Sequence, residues 1–331
     1  MRRREFLIAP LALAAVAARA QPAGKTYRVG FILTTSPVAE MQGPEPAHGA
    51  VRNFLHAMRR AGYEEGKNLV LERRSAEGRY ERYGEIVDEL LKLKPDALVT
   101  VNIQLTLAAK KQTTTVPIVF VIAEAGDPVA AGIVPSLARP GGNITGFLPD
   151  AGPEIVGKRL EVLKEALPRV SRVAFLCFAS EWNGVEGRSF RAAAKSLGIA
   201  QTFAEAKPHD YSPAFEAIRR ERAEAIVVGA HGAHYTNRAA IAEFAARHRL
   251  ADIHAFGGSA EAGGLMSYAA DAGFWNEVAA YVDRIFKGAK PGDLPVQQPS
   301  KFVFAINLKA ARARGLTISP TLLLRADRVI E

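Results

Sequence analysis

The chain has 331 residues, of which 48% are hydrophobic, 23% charged and 8% aromatic, and its formal net charge is +9. This composition excludes intrinsic disorder and fits about two globular domains. The single cysteine, Cys177, excludes a disulfide scaffold.

Residues 1–20 read as an export signal. Arg2, Arg3 and Arg4 lead an apolar run from Phe6 to Val16 broken at Pro10, and Ala18-Arg19-Ala20 provides an A-x-A cleavage site before Gln21. The run is too short to span a bilayer. Arg3-Arg4-Glu5-Phe6-Leu7 resembles the twin-arginine signal; Sec export shares the layout, and either route ends in the periplasm. No cysteine follows the cleavage site, which argues against a lipid anchor. Cleavage removes four arginines and one glutamate, so the mature chain is expected to carry +6. Without a long basic run, that charge predicts a mild preference for anionic partners and no nucleic-acid binding.

Along the mature chain, short apolar runs alternate with helix-period stretches. Strands are expected at Tyr27 to Leu33, Leu69 to Glu72, Ala97 to Val101, Ile118 to Ile122, Ile144 to Leu148, Val173 to Phe178, Ala225 to Val228 and Ile253 to Phe256. Helices are expected at Val51 to Ala61, Tyr83 to Leu93, Gly157 to Ala166, Ser189 to Leu197, Pro213 to Arg222 and Asn237 to His248. Strands that are apolar throughout and separated by helices predict a doubly wound α/β protein with parallel sheets.

The second half echoes the first. Arg28-Val29-Gly30-Phe31-Ile32-Leu33 matches Arg172-Val173-Ala174-Phe175-Leu176-Cys177, and Asp96-Ala97-Leu98-Val99 matches Glu224-Ala225-Ile226-Val227. Val116-Pro117-Ile118 and Leu250-Ala251-Asp252-Ile253 then open the next strand in each half. Three pairs in the same order predict two similar lobes, with a boundary near the turn-rich Arg139-Pro140-Gly141-Gly142-Asn143. Residues 26–143 plus about 272–300 are assigned to lobe 1, and 144–271 plus about 301–331 to lobe 2. The C-terminal third, with a helix from Phe274 to Phe286 and a strand from Phe302 to Asn307, predicts repeated crossings that act as a hinge near Asn143 to Gly146 and Tyr268 to Ala272.

Catalytic signatures are missing: no phosphate loop, no G-x-G-x-x-G after the first strand, no H-E-x-x-H, no nucleophile elbow and no C-x-x-C. Cys177 lies inside an apolar strand and reads as a buried inert thiol. His231 and His234 have a spacing that could serve a metal on one helical turn, but no third ligand is evident, so no metal or other cofactor is expected. What remains is the set of loops at the carboxyl ends of the strands, where open α/β sheets place ligands. These loops nominate Ser36, Asn102, Gln104, Asp127, Asn183, His231, Phe256 and Asp271 as ligand contacts. Asn102 is expected to cap a helix whose first amides offer a carboxylate site. Its competing reading is a cap alone, and that of Asp127 is the closure of an Asp-Pro turn.

MRRREF, AGYEEGKNL (61–69), TTTVPIVFVIAEAGDPVAAGIVPSLARPGGNITG (113–146), KRLEVLKEALP (158–168), EAGGLMSY (261–268), RIFKGAKPGDLPV (284–296) and KFVFAINLKAARARGLTI (301–318) occur in order. Through them nearly the whole chain resembles bacterial ABC-transporter substrate-binding proteins of the group that includes tryptophan- and tyrosine-binding receptors. The resemblance implies a type I periplasmic-binding fold, α/β with two Rossmann-like lobes whose parallel sheets are joined by a multi-strand hinge. It also implies a small-molecule ligand closed between the lobes and delivery to an ABC permease in the inner membrane.

By the same resemblance, Asn102 to Gln104 would receive the ligand carboxylate, and Asp127 is the aspartate of the Asp-Pro pair. Where amino-acid-binding relatives have an acidic or amide residue for the ligand ammonium, this chain has His231 and Gly232. Gly257-Gly258 replaces a larger polar pair. These departures predict a small organic anion as ligand, bound by a monomer, with His231 able to pair with it as imidazolium. A sensory receptor docking on a membrane kinase is the alternative. An α/β enzyme with an unrecognised active site is a distant one.

Overall fold

The computed structural model describes residues 25–123, 126–150, 152, 154–299 and 301–331. The export signal lies outside the described residues, as do Glu124 and Ala125 in the loop before Asp127.

The first sheet is wholly parallel. It contains β1 (Tyr27–Leu33), β2 (Leu69–Ser75), β3 (Ala97–Val101), β4 (Ile118–Val121) and β5 (Ile144–Phe147), in the order β2-β1-β3-β4-β5. Helices α1 (Gly49–Arg60), α2 (Tyr83–Lys92) and α3 (Ile103–Gln112) cover it. Val51, Phe54 and Met58 of α1 pack on Val29 and Phe31 from one side, while Leu90 of α2 and Leu105 of α3 join Leu98 and Phe120 on the other. Helices on both faces explain why β4 is buried at every position and reads as an uninterrupted apolar run. Each such fully buried Leu, Ile or Phe contributes about 1.5–3 kcal/mol.

The second sheet follows α4 (Glu154–Ala166). Its strands are β6 (Arg172–Cys177), β7 (Ala200–Glu205), β8 (Ala225–Val228), β9 (Ala251–His254), β10 (Met266–Ala270), β11 (Phe302–Asn307) and β12 (Arg328–Ile330). Their order is β12-β11-β10-β9-β8-β6-β7. Between them lie α5 (Ala179–Asn183), α6 (Val185–Ser196), α7 (Ser212–Arg220), α8 (Gly232–Thr236), α9 (Arg238–Arg247) and α10 (Gly258–Glu261). After β10 comes α11 (Phe274–Phe286), whose Trp275, Val278 and Val282 return to the core under β1 and α1. The chain ends with α12 (Leu308–Arg314), α13 (Pro320–Arg325) and β12. None of the described helices is long and apolar enough to cross a membrane.

Three features differ from the sequence reading. Ile144–Phe147 pair with Ile118–Val121, so the strand expected to open lobe 2 closes the first sheet instead, and the first crossing begins at Leu148. Four residues buried on every side look the same in either sheet. The second sheet is not purely parallel, because β10 runs antiparallel to β11. Finally, β7 and β12 were not anticipated: both are edge strands whose exposed positions interrupt any apolar run.

Among the described residues, the chain crosses between the sheets three times, after β5, after β10 and before β11. These crossings are tied to one another and to the lobes. Leu148 N donates to Gln297 O (2.9 Å), Gln297 N to Gly146 O (3.0 Å) and Asp271 N to Lys301 O (3.1 Å). Arg159 on α4 reaches Asp150 in the first crossing and donates to the Tyr268 carbonyl (2.9 Å) before the second. Chains bonded in this way bend together.

Candidate functional site

The carboxyl ends of β1 and β3 supply the wall of lobe 1. Beyond β1 stand Thr34, Thr35 and Ser36, all buried. Asn102 follows β3 and caps α3: its Oδ1 accepts from Leu105 N (2.9 Å), and its Nδ2 donates to the Tyr83 hydroxyl (3.1 Å). Asn102 holds φ 70°, a left-handed value that costs a non-glycine residue about 1–3 kcal/mol. The cap and the Tyr83 contact hold it there. The side chain is therefore spent on its own lobe, and a ligand at this position would meet the start of α3 and the exposed Gln104.

Lobe 2 answers with α8. His231 caps this helix, its Nδ1 accepting from Ala233 N (3.1 Å). Its ring packs on Phe178 (4.3 Å between centroids) and faces Tyr80 of lobe 1 (5.9 Å). Burial pushes the imidazole down to about 4; Glu181 pulls the other way, and His234 adds to the depression. This shift favours a neutral His231 ring at neutral pH over the imidazolium pairing that the sequence left open. One turn on, Tyr235 meets Phe256 edge-on (5.5 Å) and His48 of lobe 1 (5.1 Å).

The two walls touch. The Thr236 hydroxyl lies 2.9 Å from both the Thr35 and the Ser36 hydroxyls. A Cβ on Gly232 would stand 3.2 Å from Thr34 Oγ1, so a side chain there would press the lobes apart.

Behind His231 lies a buried relay that sequence reasoning missed. The Tyr211 hydroxyl is 2.8 Å from His234 Nδ1, and His234 Nε2 is 3.2 Å from Glu181 Oε2. Glu181 also accepts from Phe178 N (2.7 Å) and Ala230 N (3.0 Å). Burial works to raise the Glu181 carboxyl, but His234, His231 and the Phe178 amide together carry it below its usual value. The relay fixes the start of α8. It resembles an acid-base chain, yet Tyr211, His234 and Glu181 are all buried, as is Cys177, whose thiol burial raises well above its ordinary value. Among the described residues, no group of three or more His, Cys, Asp or Glu is placed to hold a metal ion.

The remaining sequence candidates separate. Asp127 is exposed and closes its own turn, accepting from Val129 N (2.8 Å) and Ala130 N (3.2 Å). Asn183 is exposed at the end of α5, with its carbonyl accepting from Arg188 (3.3 Å). Asp271 accepts from Gly273 N (2.7 Å) in the second crossing. There it lines a cavity of about 440 Å³ with Leu148, Phe274, Glu277, Gln297 and Lys301. All three crossings contribute to this cavity, whereas Ser36, Asn102 and His231 do not line it. Ser36, Asn102, His231 and Phe256 thus belong to the strand-end walls, Asp271 to the hinge, and Asp127 and Asn183 to local turns. The sequence pointed to this wall through His231, nominated as a ligand contact and weighed with His234 as a metal pair; Tyr235, one turn further on, was not singled out.

Known proteins share this architecture. A conserved domain protein from Vibrio cholerae O1 biovar eltor superposes with a TM-score of 0.78 at 27% identity, covering 92% of this chain and 100% of that one. The ABC domain from Streptococcus pneumonia in complex with L-Trp superposes with a TM-score of 0.76 at 20% identity, again covering 92% and 100%. A curated relative, the tyrosine-binding protein of Clostridioides difficile, is 28% identical over 134 residues, which is 40% of this chain. The match spans only 37% of that relative's length. The profile of the family described as ABC transporter substrate binding protein matches residues 45–330. Two doubly wound lobes on a hydrogen-bonded hinge, matched to that profile over most of the sequence, place this chain in the ABC transporter substrate-binding protein family.

Proposed function

We propose that this protein is the exported solute receptor of an ABC importer. It captures a small organic solute between its lobes as a monomer and hands it to an inner-membrane permease. The observation that carries this reading is the geometry of the hinge: three crossings bonded to one another, with the strand-end loops of both lobes facing each other beyond them. Such a hinge lets the lobes move as rigid bodies, and a solute that bridges the walls favours the closed form by its differential affinity. The rings of Tyr80, His231, Tyr235 and Phe256 offer flat apolar surface, which suits an aromatic or similarly planar solute carrying a carboxylate.

Binding here would be non-covalent, since the polar groups with acid-base character are buried behind the wall. A thermal-shift screen against amino acids, aromatic acids, purines and short carboxylates tests the reading. A ligand at about 100 times its dissociation constant stabilises the folded form by about 2.7 kcal/mol, a rise of several degrees. Small-angle scattering with the best ligand should then show a smaller radius of gyration, unless the free protein is already closed. Turnover of that solute, or an absence of binding across every class, would refute the receptor role.

A further inference from the structure

The amino end of α1 lies where the lobes meet, and its surroundings are positively charged. His48 caps the helix without a side-chain bond to it, and α1 has no acidic residue in its first turn. The helix start therefore carries its dipole charge uncompensated. The His48 side chain is buried, 7% exposed, and its Nδ1 has no hydrogen-bond partner among the described residues. Such an orphan costs about 1–3 kcal/mol unless something fills the gap.

Two arginines approach from opposite lobes. Arg52, on α1 itself, donates to the carbonyls of Pro46 (2.9 Å) and Ala47 (3.2 Å). Arg238 comes across from lobe 2: it donates to the Tyr235 carbonyl (2.7 Å), and its guanidinium lies 4.2 Å from the centre of the Tyr235 ring. Among the described residues, both arginines bond to carbonyls and a ring and pair with no carboxylate. The nearby Glu45 is engaged elsewhere, by His56 (2.7 Å) and Arg59 (3.4 Å). Burial first, then the charges of Arg238 and Arg52, hold the His48 imidazole down at about 4, so both arginines bear on one ring. Lobe closure thus brings like charges together. Tyr235 completes the approach, because a Cβ on Gly49, the first residue of α1, would stand only 2.7 Å from its hydroxyl.

We infer that His48, Arg52, Arg238 and the start of α1 form an anion site that straddles the two lobes and takes the carboxylate of an aromatic monocarboxylate. The Tyr235 and Phe256 rings lie beside it to receive the apolar body. An anion between the lobes relieves the repulsion that closure otherwise creates, so closure becomes dependent on the charge of the solute. The inference rests on the receptor reading and adds to it both the charge that is read and the place where it is read, away from Asn102.

The test uses a panel of aromatic monocarboxylates, benzoate included, each paired with its neutral primary amide. Binding to the purified protein is followed by calorimetry and closure by small-angle scattering. The expected result is that at least one acid binds at least tenfold more tightly than its amide. Arg238→Gln and Arg52→Gln should each weaken the acid far more than its amide and so remove most of that preference, and Arg238→Lys should restore part of it. Circular dichroism of each variant separates lost binding from lost fold. Equal affinity for acid and amide, an acid preference untouched in both glutamine variants, or no acid bound at all would each overturn the anion site. Closure on a zwitterionic amino acid or a purine in those cases would leave the receptor reading standing; no closure with any solute would remove both.

Discussion

The Arg159 guanidinium grips the Asp150 carboxylate from both sides, Nη2 to Oδ1 at 2.8 Å and Nη1 to Oδ2 at 3.3 Å, and both side chains are almost wholly inaccessible. This pair welds α4 to the first crossing, and the further bond from Arg159 to the Tyr268 carbonyl adds the strand leading to the second. Burial pushes the Asp150 carboxyl up against the pull of Arg159, so the pair depends on both members being present. Removing Arg159 alone strands a buried carboxylate. Arg159→Met should cost about 3–5 kcal/mol, and the double change Arg159→Met with Asp150→Leu should recover much of it. Denaturant unfolding of the two singles and the double as a cycle checks this; strict additivity would show that the pair does not act as a unit.

His48 and His231 are both held neutral, each with its imidazole near 4 against an ordinary value of 6.5. The sign follows from linkage. The unfolded chain binds protons below 6.5 that the folded protein refuses until about 4, so stability present above pH 6.5 is lost as pH falls through that window. Each histidine adds up to about 1.4 kcal/mol per pH unit to the slope. Melting curves from pH 7.5 to 4.5 should therefore fall less steeply for His48→Gln and for His231→Gln than for the parent protein. Identical slopes would show that neither is held neutral. Between pH 7 and 8, ligand affinity should not change through His231.

The Thr236 hydroxyl serves Thr35 and Ser36 across the cleft. Thr236→Val keeps the shape and removes both bonds, each worth about 0.5–1.5 kcal/mol net. A total of about 1–3 kcal/mol predicts solute affinity weakened by roughly 5- to 150-fold. Calorimetry reads the affinity, and scattering reads a ligand-free ensemble shifted toward open forms. Unaltered affinity would mean that this contact is incidental to closure.

Export should leave a protein that starts at or near Gln21, checked by N-terminal sequencing of a periplasmic extract. Replacement of both Arg3 and Arg4 by lysine should block export on the twin-arginine route, whereas a Sec signal tolerates a change that keeps the charge. Bulk soluble protein still beginning at Met1 would exclude cleavage.

The alternation of apolar runs with helical periods determined the doubly wound lobes, because a strand covered by helices on both faces must be apolar at nearly every position, as β4 and β8 are. The cap of α3 was equally legible, since an Asn immediately before a helix acts on amides three residues away. Only the tertiary structure decided the rest. Whether Ile144–Phe147 belonged to the first or second sheet depended on a partner strand, because its burial would be the same in either. The pKa of His231 is lowered by partial burial against rings from another loop and another lobe, which no local pattern predicts. Glu181 with His234, and His48 with Arg238, are brought together over distances in sequence that no local pattern records. Periodicity is a local property of the chain and survives in its sequence, whereas desolvation and Coulomb energy depend on which distant groups folding makes neighbours.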